Sequence, residues 1–478
     1  MSAFVERRWW IVLLVITILA LGRMLADTLD DWDTYPPVTR DAILYQYEGW
    51  LVANGTVMYA EIWEAKPPMG AYTPALLALF TGDDMLLLHW ANLALMCVAV
   101  VASVWLVGQI VYSTTGNPQA ATVAGLALLT LTWFTLLGTF GFRPKYMTLM
   151  LGLAAMALAQ RNRPFWSGVC LALSAGHWQP GVLFMPVAGL VMAQEHGLRH
   201  AWIPRMIAGG ALATAVVMLP NVLDGSLDAV YDQVVRWNMQ NHIENRSLAQ
   251  TIERVVTKIR LALLVWIWGG IGMIWSLVTR KADRAWLVAG FVLFGIQVAI
   301  IDFDNTPDLF VMMAFAAIGT GLLYADISAG DLRRQARLAL TVIALAAVAV
   351  AGWLIWQYVR VGHEQPGGVV VFVLAFGSLA ALLHHKQWAQ RGMVLALVVT
   401  LVVTVGMVGA DGIIYPDREG SLLLSDPWIE SSEDRLGLPS LAYMYWNRVR
   451  PSGCHFLLTA SEQHYMADRG HDLDSWCR

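Results

Sequence analysis

An all-α polytopic membrane fold is predicted for this chain by three observations. It is 57% hydrophobic and only 14% charged over 478 residues, where a soluble domain carries about a quarter charged residues. Its mean hydropathy is +0.55. Its apolar residues recur in runs of about 20, the length that crosses a bilayer core as a helix. Backbone groups in lipid must be bonded internally, and runs this uniformly apolar mean helices rather than a barrel. The net charge of −4 is uninformative by itself, and no nucleic-acid partner is expected.

About thirteen spans follow in order. They lie near 9–28, 85–112, 119–137, 145–160, 165–178, 180–194, 203–220, 261–279, 285–301, 309–325, 338–357, 367–383 and 392–410. The first starts right after Glu6-Arg7-Arg8, and no small-residue cleavage site follows it, so it reads as an uncleaved span. Basic residues set the orientation. With the N-terminus in the cytoplasm, the short inner segments hold Arg7, Arg8, Arg161, Arg163, Arg199, Arg205, Arg280, Lys281, Arg284, Arg333, Arg334, Arg337, Lys386 and Arg391, and the short outer ones only Arg143, Lys145 and Arg360. The expected layout is a membrane domain over 1–410, with large external loops at 29–84 and 221–260, and an extracytoplasmic tail over 411–478. A multi-pass protein of the cell membrane is implied.

Four cysteines are present. Cys97 and Cys170 lie inside apolar runs and read as small buried hydrophobes. Cys454 and Cys477 lie in the tail. They are placed to pair if the tail is extracytoplasmic, which would stabilise it by roughly 3 kcal/mol. Two free thiols are the alternative.

The first external loop is the most polar stretch among the early spans. Pro36-Pro37 stops any helix, and Thr39 is a plausible N-cap for one running to Val52. On it Ile43, Tyr47, Trp50 and Leu51 share one face; Asp41, Tyr45 and Glu48 share another. That pattern predicts an interfacial helix, apolar face to the bilayer edge and carboxylates to a cavity. Met69–Thr81 is apolar but too short to span, so it reads as a second interfacial helix.

The loop carries Arg40-Asp41-Ala42 with Tyr45, then Gly55-x-Val57-x-Tyr59, Trp63 and Lys66-Pro67-Pro68. This order resembles the first external loop of the GT-C glycosyltransferases that use lipid-phosphate-linked sugars. The third acidic residue of that pattern is Ala42 here. The resemblance implies a GT-C-like helical bundle and transfer of a sugar from a dolichyl- or polyprenyl-phosphate donor. The acceptor would be a glycan, protein or lipid on the extracytoplasmic face. Within the superfamily the chain is most similar to archaeal dolichyl-phosphate-mannose mannosyltransferases, with protein O-mannosyltransferase-like and aminoarabinose-transferase-like enzymes next.

The resemblance also assigns roles. Asp41 would be the base that activates the acceptor hydroxyl, one carboxylate being enough for inverting single displacement; a solvated carboxylate in a helix first turn is the plain alternative. Lys66 would meet the donor phosphate, against a snorkelling lysine at the headgroups. Arg143 and Lys145, in GFRPKY, suit the same anion or ordinary lipid headgroups. Tyr45 and Tyr59 belong to the loop motif. His177 with Gln179 forms a polar turn between spans, functional or structural. Trp237, Asn238, Asn241 and His242 offer an aromatic face and amides for a sugar, or cap a loop.

Neither a cofactor nor a metal is expected. Asp302, Asp304 and Asp308 form one short acidic turn, poor in the further oxygens a hard cation takes. A transporter or lipid-linked-sugar flippase is the competing class, but it would show paired halves and midplane charges. Here the charges gather at one face.

Overall fold

The computed structural model describes residues 3–30, 39–197, 201–241, 248–259, 262–279, 281–300, 306–329, 386–410 and 445. These are almost wholly helical, with no strand among them beyond an isolated bridge between Met58 and Ile62. Helix α1 (Ala3–Asp30) leads to the two helices of the first loop, α2 (Arg40–Ala53) and α3 (Met69–Thr81). The bundle continues with α4 (Met85–Thr115), α5 (Pro118–Leu129), α6 (Thr132–Leu136), α7 (Pro144–Gln160), α8 (Pro164–His177), α9 (Phe184–His196) and α10 (Trp202–Leu223). Short turns α11 (Leu227–Val230) and α12 (Asn238–Asn241) flank a π-helical stretch, Tyr231–Trp237. Then come α13 (Leu248–Ile259), α14 (Leu263–Val278), α15 (Ala285–Ile300), α16 (Phe310–Ala329) and α17 (Lys386–Ala410).

Among the described residues four stretches are long and apolar enough to cross a membrane: Arg8–Ala26, Met85–Thr115, Trp202–Leu223 and Thr306–Ala329. A fifth is reached if α5 and the helical turns Thr132–Thr139 count as one span bent by 80°. The bend falls within the expected span 119–137, where Thr130 and Leu131 break the helix. Helices α7, α8, α9, α14 and α15 match the expected apolar segments but run only 17, 14, 13, 16 and 16 residues. The expected spans at 338–357 and 367–383 lie outside the described residues, as do Cys454 and Cys477.

Helix α16 is the axis of the core. Every residue from Phe310 to Ile327 is buried, so a helix apolar all round is enclosed by others. Phe310 meets Phe134 edge-on at 5.2 Å and Tyr146 at 5.0 Å. Helix α14 approaches so closely that a Cβ at Gly269 or Gly272 would strike the backbone of Ala316 or Gly319, the small-residue contact that membrane helices use. Asp308 and Asp326 mark opposite ends of this axis, about 30 Å apart at 1.5 Å rise per residue. At the far end Arg284 grips Asp326 with two bonds, 2.7 and 3.1 Å, and Lys281 adds a third at 2.8 Å.

The first-loop helices pack differently from the sequence expectation. The apolar face of α2 is covered by protein: Ile43, Tyr47, Trp50 and Leu51 cluster with Ile62, Ala78, Met85, Leu88 and Tyr445. Tyr445, from the C-terminal segment, is fully buried there and donates to the Met85 carbonyl at 3.2 Å. Periodicity reveals an apolar stripe but not whether lipid or protein covers it. Helix α3 keeps Leu76, Leu79 and Phe80 exposed, opposite buried Gly70, Ala71, Pro74 and Ala78. Half-buried Cys97 and Cys170 lie within the helices.

Candidate functional site

Helix α2 starts where Thr39 adopts an extended conformation (φ −99°, ψ 157°), yet the Thr39 hydroxyl makes no capping bond. It accepts instead from Arg143 Nη2 at 2.6 Å. The other guanidinium nitrogen, Nη1, meets Asp41 Oδ2 at 2.8 Å. Arg143 is itself fixed. It is the extended residue ahead of Pro144, the first residue of α7, and its backbone N–H is donated to Met96 Sδ at 3.3 Å. Its side chain is buried, while that of Asp41 is 46% exposed. One carboxylate oxygen is thus engaged, and Oδ1 has no partner among the described residues. The Arg40 side chain lies outside the described residues.

Tyr45, one turn on from Asp41, presses its ring edge-on against Phe142 at 6.3 Å. Burial, then Glu64, Asp41 and Glu48, raise its pKa well above the ordinary value, so the hydroxyl stays a donor.

Lys66 sits between α2 and α3, half-buried. Among the described residues its ammonium has no ion pair or hydrogen bond. Burial pushes its pKa down and Lys145 adds to that, against Glu64, Asp308 and Asp41 pulling up. The backbone around Lys66, by contrast, is bonded on every side. Tyr59 Oη donates to the Lys66 carbonyl at 2.7 Å, and the Lys66 N–H to Glu64 Oε1 at 2.7 Å. The Ala65 carbonyl accepts from Gln179 Nε2 and Asn238 Nδ2, both at 2.7 Å. Gln233 takes the Glu64 N–H at 3.0 Å and donates to the Tyr59 carbonyl at 2.8 Å. Tyr59, fully buried, holds φ +68°, rare for a residue with a side chain.

The other expected residues fall into place around this pair. Lys145 Nζ pairs with Asp308 Oδ1 at 2.5 Å and lies 5.2 Å above the Trp178 ring. Asp308 is therefore a buried partner of Lys145. His177 is satisfied within the bundle: Nδ1 lies 2.8 Å from the Leu173 carbonyl, which can only accept, and Nε2 2.9 Å from the Thr73 hydroxyl. That is a structural histidine, tying α8 to α3. Trp237 is buried edge-on to Trp63 at 6.3 Å. Asn238 spends its amide on backbone carbonyls. His242, Asp302 and Asp304 lie outside the described residues. No group of three or more His, Cys, Asp or Glu suits a metal ion among the described residues. The sequence reading missed Gln233, because a lone glutamine in a polar loop carries no motif.

The arrangement offers a half-exposed carboxylate held by an arginine, a tyrosine one helical turn on, and a lysine with no partner among the described residues, carried by a loop whose backbone is hydrogen-bonded on both sides. It is equipped to take a proton and to receive an anion.

Comparison with known proteins gives likenesses of sequence and of fold. The family model described as DolP-mannose mannosyltransferase matches residues 55–219. A dolichol phosphate-mannose mannosyltransferase of Haloferax volcanii is 25% identical over 437 residues, 90% of this chain and 88% of that protein. Among solved structures, ArnT from Cupriavidus metallidurans bound to undecaprenyl phosphate is similar with a TM-score of 0.57 and 16% identity, over 98% of this chain and 88% of that one. The archaeal oligosaccharyltransferase AglB from Archaeoglobus fulgidus, in complex with an inhibitory peptide and a dolichol-phosphate, gives 0.54 and 12%, over 94% and 60%. At these identities the structural likeness speaks for the fold.

Proposed function

We propose that this multi-pass membrane protein is a glycosyltransferase of the GT-C superfamily and moves a sugar, mannose, from a dolichyl- or polyprenyl-phosphate donor to an acceptor hydroxyl. The observation that carries the reading is that one external loop brings a locked, half-exposed Asp41 and a Lys66 whose ammonium has no partner among the described residues. The acceptor oxygen attacks the anomeric carbon and Asp41 takes its proton. The bond from that carbon to the phosphate oxygen breaks, and the lipid phosphate leaves as an anion against Lys66. Inversion follows, since one displacement needs no nucleophilic carboxylate. Arg143 orients Asp41, and Tyr45 offers a donor to the reacting oxygens.

The reading places the site on the extracytoplasmic face of the cell membrane, with a cytoplasmic N-terminus and about thirteen crossings. The basic residues Lys281 and Arg284 at the Asp326 end of α16, away from Lys145 and Asp308, support that orientation. So does the seat of Tyr445 on the first loop. The exposed face of α3 suits the bilayer interface. The acceptor is a glycan, protein or lipid.

Membranes containing the protein, incubated with labelled dolichyl- and undecaprenyl-phosphate sugars, test the reading. Transfer of label from a lipid-phosphate sugar into product is expected. Transfer from a nucleotide sugar alone, or movement of intact donor across the membrane without transfer, would refute it.

A further inference from the structure

We infer that Gln233 is a positioning residue that sets the Lys66 ammonium for the donor phosphate, the inference resting on the phosphate role proposed for Lys66. Gln233 lies in the π-helical stretch Tyr231–Trp237 and is buried. Both ends of its amide are used on the first loop, 169 and 174 positions away in sequence: Oε1 takes the Glu64 N–H and Nε2 binds the Tyr59 carbonyl. Buried backbone groups in an irregular loop have no ladder to satisfy them and need such partners. Tyr59 in turn bonds the Lys66 carbonyl while holding its left-handed conformation. A short relay therefore runs from Gln233 through Tyr59 to Lys66. Asn238 and Gln179 close the clasp from the other side, on the Ala65 carbonyl.

The clasp matters because, among the described residues, the side chain of Lys66 has no hydrogen-bond or ion-pair partner to hold it. Half-buried and near Lys145, an ammonium without a ligand is electrostatically unfavourable there. Its place must be imposed through the backbone. The π-helix suits this task. Its wide turns occur most often at functional sites, and here the stretch and its first following residue bring Gln233, Trp237 and Asn238 together against Trp63–Ala65. Among the described residues Gln233 makes no contact with Asp41 or Arg143 that would bear on the proton transfer, so its loss acts on donor binding.

Steady-state kinetics of the full-length protein with a synthetic polyprenyl-phosphate mannose tests this. Four proteins are compared: wild type, Gln233→Met, Lys66→Ala and the double variant, each with its melting temperature. The donor KM is expected to rise roughly tenfold in Gln233→Met, the scale of losing two buried bonds, with kcat within about threefold. The double variant should bind no worse than Lys66→Ala alone, the non-additivity of coupled residues. If Gln233→Met fails to fold, Asn238→Ala, which leaves the Gln179 bond in place, should shift KM in the same direction by less. Unchanged KM with only a lower melting temperature would mark packing alone and overturn the inference. So would strictly additive effects. An unchanged KM in Lys66→Ala would overturn the phosphate reading and the positioning role with it, a pattern distinct from failure of the clasp alone.

Discussion

Arg143 Nη1 lies 2.8 Å from Asp41 Oδ2, joining the first turn of α2 to the residue before α7 across 102 positions of sequence. The same guanidinium holds Thr39, so one planar fork fixes both the carboxylate and the start of the helix that carries it. Charge-assisted bonds from a fork are strong and directional. Arg143 is buried and Asp41 half-exposed, so the pair holds a carboxylate open to solvent, the one that meets the acceptor hydroxyl in the proposed reaction.

Asp41→Asn should abolish transfer while leaving expression and donor binding nearly intact. The amide oxygen still accepts from Arg143, but the general base is gone. Such a loss typically costs 10²–10⁴-fold, roughly 3–5 kcal/mol of barrier. Turnover at the wild-type rate would remove Asp41 from the mechanism.

Arg143→Lys separates orientation from donor contact. A single ammonium cannot span Thr39 and Asp41 as the fork does, so kcat should fall about tenfold or more with the donor KM little changed. A change confined to KM would instead make Arg143 a phosphate ligand.

Lys66→Ala should raise the donor KM with little effect on melting temperature, and Lys66→Arg should recover part of the affinity. Lys66 also sets a pH dependence. Its pKa lies below the ordinary 10.5, through burial and Lys145. Donor affinity should therefore fall, as pH rises through the alkaline range, earlier than for an exposed lysine, while Lys66→Arg stays charged and flat. Stability runs the other way. Between the lowered pKa and 10.5 the unfolded chain binds the proton more tightly, so this residue's contribution to folding grows as pH rises. A wild-type affinity profile matching that of Lys66→Arg would exclude the lysine from phosphate binding.

A reporter fused after Cys477 should signal from the extracytoplasmic side. Tyr445 is seated beside Trp50 and Met85, which puts that point of the tail on the face of the Asp41 loop. Tyr445→Ala should lower the melting temperature by loosening the cluster, since burial of an aromatic ring contributes on the order of 3 kcal/mol. A cytoplasmic reporter would contradict the proposed orientation.

Activity should persist in a chelator. A lipid phosphate leaves with fewer charges than a nucleotide diphosphate, and in the proposed reaction the Lys66 ammonium stabilises it without a divalent ion. Loss in EDTA with recovery in magnesium or manganese would direct attention to the acidic turn at 302–308.

The helical membrane class, the two helices of the first loop and the segment from Asp41 to Lys66 were legible in the sequence. Run length and the 3.6-residue period are local properties, and the Lys66-Pro67-Pro68 motif is contiguous. What the sequence left open was who meets whom. It offered Arg143 to phosphate or to lipid headgroups, and could not show that the fold also binds it to Asp41 and Thr39. It gave Asp308 no partner beyond a short acidic turn, where the fold pairs it with Lys145. It offered His177 to function, where Thr73 and Leu173 satisfy it. Gln233 carried no signal at all, and its partners lie 169 and 174 positions away. Such contacts depend on helices closing long loops around a common core, so the charge a side chain meets, and whether it stays unpaired like Lys66, is decided only when the bundle assembles.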